Sequence, residues 1–130
     1  MTILTIRTEK PEAKLAIYQG NKKLAEKKWQ AHGTLAETIN AELDKMLNML
    51  SISLNDIEGI ICYQGPGSFT GLRIGMSVGN TLSYAQKIPI VATREDDWIK
   101  AGTKLLEAGK NQNIIQPYYD RPAAVTLPKN

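Results

Sequence analysis

The sequence predicts an α/β domain in which one mixed β-sheet carries three main helices. Three observations predict it. Short β-rich runs joined by tight-turn signals fill the stretch from Thr2 to Gln30. At Gly33 the hydrophobic spacing changes from a period of two to a period of 3.6. Beyond that point apolar strand-like runs alternate with helical stretches, the pattern of parallel strands joined by crossover helices.

Thr2 to Thr8 is the first β-rich run, and Lys14 to Gln19 is a second that ends at Gly20-Asn21, a tight-turn dipeptide. Lys22 to Gln30 is a third strand, so three short-linked strands form an antiparallel meander. Leu35, Ile39, Leu43, Met46, Leu47 and Leu50 then fall at helical spacing. Thr34 and Glu37 have the spacing of a capping box, which starts this helix at Thr34. Ile57 to Tyr63 is a compact apolar run between two helices, as expected of a buried parallel strand. A second helix is expected from Phe69 to Gln86, a strand from Ile88 to Ala92, and a third helix from Glu95 to Glu107, closed by Gly109. Asn111 to Asn130 holds three prolines and is expected to be an irregular tail. The organisation is one domain over residues 1–110 and a tail over 111–130. The order β-β-β-α-β-α-β-α is that of the ribonuclease-H-like lobe, half of an actin-like ATPase fold.

A chain of 130 residues is long enough to bury one core without staples. Aromatics are only 6%, so that core is aliphatic. The net charge of +3 permits a nucleic-acid neighbour without demanding one. The cluster Lys22, Lys23, Lys27 and Lys28 is expected to be a solvated hairpin edge, since edge lysines discourage aggregation. Cys62 is the single cysteine, which excludes an internal disulfide and a cysteine metal site. His32 is the single histidine. No apolar run approaches membrane-spanning length and no signal-like start is present, so a cytoplasmic setting without a membrane is expected.

The loop Gly65-Pro66-Gly67-Ser68-Phe69-Thr70-Gly71 stands between a strand and a helix. Backbone amides at a helix start attract anions, so a phosphate cradle is one reading. The spacing fits neither the dinucleotide fingerprint nor a Walker A loop. The other reading is a tight turn with a cap from Ser68 or Thr70. In the helix that follows, Gly71, Gly75, Gly79 and Ser83 recur every four residues on one face. Three glycines inside a helix cost roughly 2–3 kcal/mol relative to alanine. Close approach of another backbone would offset that cost. The approaching surface is either a partner or the protein's own sheet or first helix. Leu72, Met76 and Leu82 add apolar surface at other angles.

The stretch Gly65-Pro66-Gly67-Ser68-Phe69-Thr70-Gly71-Leu72-Arg73-Ile74-Gly75 resembles the hallmark of TsaB (YeaZ) proteins. The opening strand Ile3 to Thr8, His32 before the first helix, the run Ile88 to Ala92, and Pro117-Tyr118-Tyr119-Asp120-Arg121 resemble other family segments. There are two departures. The family's first strand usually ends in Asp-Thr, where related ATPases keep an acid for metal and phosphate, and here Arg7 precedes Thr8. Family members also carry a second, smaller lobe, for which this sequence has little room between the third helix and the tail signature.

The resemblance implies a non-catalytic scaffold and activator in the machinery that forms threonylcarbamoyladenosine in tRNA. Its partners would be a homologous catalytic subunit of TsaD type and an ATPase of TsaE type, with tRNA met only through the complex. It implies no catalytic residue, metal or cofactor in this chain. A single histidine likewise gives peptidase activity no support. The implied interface uses Leu35, Ile39 and Leu43 of the first helix and Gly71, Leu72, Gly75, Met76 and Gly79 of the motif helix, docking the same two helices of a homologue. Two copies of the chain can pair through the same patch when alone. Two other classes compete. One is a small nucleotide-binding phosphotransferase using the loop Gly65, Pro66, Gly67, Ser68, Phe69 and Thr70, which needs an acid nearby for magnesium. The other is an RNA-binding module, which few aromatics and weak charge clustering oppose.

Overall fold

The computed structural model describes residues 1–118. Five strands form one sheet: β1 (Thr2–Arg7), β2 (Glu12–Gln19), β3 (Lys22–Gln30), β4 (Gly59–Tyr63) and β5 (Ile90–Thr93). The helices are α1 (Leu35–Leu50), α2 (Phe69–Gln86) and α3 (Trp98–Glu107). Their sheet order is β3-β2-β1-β4-β5. The first three strands are the expected antiparallel meander, with Gln19 opposite Lys22 across Gly20-Asn21. β4 runs parallel to β1, and β5 parallel to β4. The element order and mixed sheet are those expected of the ribonuclease-H-like lobe.

Strand alternation sorts the core into two layers. Leu4, Ile6, Leu15, Ile17, Ile60, Cys62 and Ile90 share one cluster with the buried stripe Leu35, Ile39, Leu43, Met46 and Leu47 of α1 and with Met76 of α2. Ile3, Ile61 and Val91 point the other way and pack on Trp98 and Leu106 of α3. This core is aliphatic, as composition requires. Burial in it pushes the Cys62 thiol well above its ordinary range.

Two local expectations are corrected. Thr34 and Glu37 form no capping box. Instead the Thr34 carbonyl accepts from the amides of Glu37 (3.1 Å) and Thr38 (3.0 Å), and the Thr38 hydroxyl accepts from Trp29 Nε1 at 2.9 Å. A box stands instead at a short 3-10 turn over Leu54–Asp56, where the Ser53 amide donates to Asp56 Oδ2 at 2.9 Å. α3 starts at Trp98 rather than Glu95, because its buried stripe of Trp98, Gly102, Thr103 and Leu106 begins there, while Glu95 to Asp97 are exposed.

Candidate functional site

The motif loop joins the C-terminal end of β4 to α2, on the same side of the sheet as the end of β1. Ser68 is the cap. Its Oγ accepts from the Gly71 amide at 3.3 Å, its carbonyl accepts from Leu72 at 3.0 Å, and its own amide donates to the Glu9 carbonyl at 3.2 Å. Gly67 has a φ of +152°, and a Cβ there would overlap Cβ and Cγ of Glu9. The loop can therefore lie on Glu9 only with glycine at this position.

The glycine ridge of α2 faces the protein's own sheet. A Cβ on Gly71 would collide with the Thr8 carbonyl oxygen, and one on Gly75 would collide with the Thr8 hydroxyl. One on Gly79 would stand 2.9 Å from Cys62 Sγ and 3.1 Å from Ile90 Cδ1. The close approach lets the Thr8 hydroxyl donate to the Gly71 carbonyl at 2.7 Å. Leu35, Ile39, Leu43, Leu72 and Met76 are likewise buried under α1 and α2. In the single chain the residues expected at a partner interface pack inward, because an amphipathic stripe is consumed first by the sheet beneath it. The outward groove between the two helices is lined instead by Ala36, Thr70, Arg73, Ile74, Ser77 and Val78, around about 420 Å³.

A larger cleft of about 690 Å³ opens where the end of β1, the turn before α1 and the start of α2 meet. Glu9, His32, Glu37, Ser68 and Thr70 line it. His32 is exposed at its rim. Glu9 lies two residues beyond the end of β1, where no sequence pattern marks it as buried. Its side chain is only 4% exposed, and it pairs with Arg7 (Nη2 to Oε2 2.8 Å, Nε to Oε2 2.9 Å). The guanidinium also lies 4.0 Å above the Tyr63 ring. The hydrogen bond to Glu9 outweighs the opposing effect of burial and raises the Arg7 pKa. The carboxylate beside the motif loop is therefore spent on an internal cation. Among the described residues, no three His, Cys, Asp or Glu side chains gather as metal ligands. None of the described helices is long and apolar enough to cross a membrane. Of the tail signature, Pro117 and Tyr118 are described, while Tyr119, Asp120 and Arg121 lie outside the described residues.

Residues 29–119 match the family model of TsaD, tRNA N6-adenosine threonylcarbamoyltransferase. The tRNA threonylcarbamoyladenosine biosynthesis protein TsaB of Bacillus subtilis (strain 168) is 27% identical over 120 residues, 92% of this chain and 50% of its own length. The tRNA N6-adenosine threonylcarbamoyltransferase of Geobacter sulfurreducens is 34% identical over 55 residues, 42% of this chain and 16% of its own length. Among solved structures, YeaZ from Pseudomonas aeruginosa superposes with a TM-score of 0.68 at 25% identity, covering 83% of this chain and 50% of that one. RuvC of T. thermophilus shares the fold alone, with a TM-score of 0.52 at 12% identity over 95% of this chain and 84% of that one. The chain spans about half the length of the TsaB protein and the YeaZ structure.

Proposed function

We infer a role from family membership: the chain belongs to the family of TsaD, tRNA N6-adenosine threonylcarbamoyltransferase, and within it to the TsaB/YeaZ group. It acts in forming threonylcarbamoyladenosine in tRNA as a non-catalytic scaffold and activator. Its partners are a TsaD-type catalytic subunit and a TsaE-type ATPase, and it meets tRNA only within that complex, in the cytoplasm. The observation that carries the non-catalytic part is the Arg7–Glu9 pair. At the end of β1, where the family resemblance puts an acid for metal and phosphate, there is a cation. The nearest buried acid is neutralised by it. A carboxylate bound to a guanidinium is not free to ligate magnesium.

The docking surface in this reading is the outer groove between α1 and α2, with Ala36, Arg73 and Ser77 at its exposed lip. The same groove pairs two copies when the partner is absent.

The test is reconstitution. Threonylcarbamoyl-adenylate, tRNA, and TsaD-type and TsaE-type proteins from the same cell are mixed with and without this chain, and modified adenosine is measured by mass spectrometry. The chain alone should give no product, and adding it should raise the partners' yield. Ser77→Trp should weaken copurification with the TsaD-type protein while leaving the melting temperature unchanged. Product from the chain alone, or no stimulation and no copurification, overturns the reading.

A further inference from the structure

We propose that the segment Asn111 to Tyr118 is a strap that positions the motif loop from behind. The segment follows α3, forms neither helix nor strand, and is nonetheless fixed at three places.

The first place is the free edge of β5. The Ile90 amide donates to Asn111 Oδ1 at 3.1 Å, and the Ala92 amide to Gln112 Oε1 at 3.0 Å. The Gln112 amide donates back to the Ile90 carbonyl at 2.9 Å. Side-chain amides here occupy the edge groups that a sixth strand would otherwise pair. The second place is α2. Asn80 holds the backbone of Ile115 from both sides, with Nδ2 donating to its carbonyl at 3.2 Å and Oδ1 accepting from its amide at 2.9 Å. The Ile115 side chain is buried in the core beside them. The third place is the root of the motif loop. Gln64 Nε2 donates to the Gln116 carbonyl at 3.0 Å, and the Tyr118 amide donates to the Gln64 carbonyl at 2.8 Å. The Arg94 guanidinium lies 3.8 Å above the Tyr118 ring and fixes that end.

Gln64 is the residue before Gly65. Its amide is held by the Thr93 carbonyl of β5 at 2.7 Å, and its carbonyl and side chain are held by the strap. The far end of the loop rests on Glu9 through the Ser68 amide. The loop therefore hangs between two posts, one of which is the strap. Local opening of a segment depends on the contacts that close it, so loosening this post favours opening of the loop without opening the sheet.

The test is native-state amide hydrogen exchange on the whole chain carrying Asn80→Ala. Exchange at Ile115, Tyr118 and Ser68 should speed up about tenfold, the effect of losing one or two hydrogen bonds. Exchange at Ile61 in the central sheet should not change. If Asn80→Ala fails to fold, Gln112→Ala on the exposed β5 edge gives the same readings. Faster exchange at Ile115 and Tyr118 with Ser68 unchanged overturns the proposal. Ser68 and Ile61 rising together in the folded variant also overturns it, because the segment would then serve the whole fold. So does an unchanged rate at Ile115.

Discussion

Replacing Gly75 by alanine sets two effects against each other. Inside a helix the change gains about 1 kcal/mol of propensity. The new Cβ collides with the hydroxyl of Thr8 and stands 3.0 Å from its Cγ2 and 3.1 Å from its Cβ. Thr8 is 4% exposed and β-branched, so it has little room to turn away. Overpacking of this kind costs about 1–3 kcal/mol. Displacing the hydroxyl also breaks its bond to the Gly71 carbonyl, about 1 kcal/mol more. The net loss is about 1–3 kcal/mol. At roughly 4 °C per kcal/mol for a chain of this length, the melting temperature should fall by about 4–12 °C. Thr8→Ala added to Gly75→Ala removes both the hydroxyl and Cγ2, so the pair should be more stable than the sum of the single changes by about 1 kcal/mol or more. Urea denaturation gives the free energies, and sedimentation of Gly75→Ala should match that of the parent. A Gly75→Ala variant as stable as the parent, or one that stays folded but loses self-association, would refute the placement of the ridge against β1.

Arg7→Ala should destabilise the fold by about 2–3 kcal/mol in urea, because it leaves the buried Glu9 carboxylate without its charged donor. Arg7→Asp should gain a magnesium-dependent thermal shift with ATP. Micromolar magnesium-ATP binding at this strand end by the parent would contradict the role given to the cation. The Glu26 carboxyl is raised by burial, but the Lys23 hydrogen bond and the charges of Lys23, Lys28 and Lys14 outweigh that and hold it below the ordinary 4.5. Folding then binds fewer protons at Glu26, so its contribution is present above about pH 4.5 and is lost as the pH falls through the lowered value. Glu26→Gln should flatten that acid limb in urea midpoints measured against pH. Trp98→Ala should cost about 3–5 kcal/mol, since Trp98 anchors α3 on the sheet and meets Tyr63 edge-on at 5.7 Å.

The sequence alone settles the element order and hence the mixed sheet. Period two in Thr2 to Gln30 and period 3.6 from Leu35 need no distant partner to be read. It also determined the span of α2 and the special nature of the Gly71-Gly75-Gly79 ridge, because three glycines in a helix need a reason. It could not say which surface the ridge meets. That was decided by packing: β1 delivers Thr8, sixty-three residues away, to the Gly71 carbonyl, and the ridge is consumed there. The late start of α3 and the failed box at Thr34 were set the same way, by where buried contacts begin rather than by local spacing. Glu9 gives no local signal, and the segment from Asn111 to Tyr118 reads along the chain only as an irregular tail with part of a family signature. A buried carboxylate shows only once its guanidinium is placed beside it, and an irregular segment becomes a strap only once an unpaired strand edge lies along it. Periodic burial is written along the chain, whereas charge pairing and edge capping join residues that only the folded chain brings together.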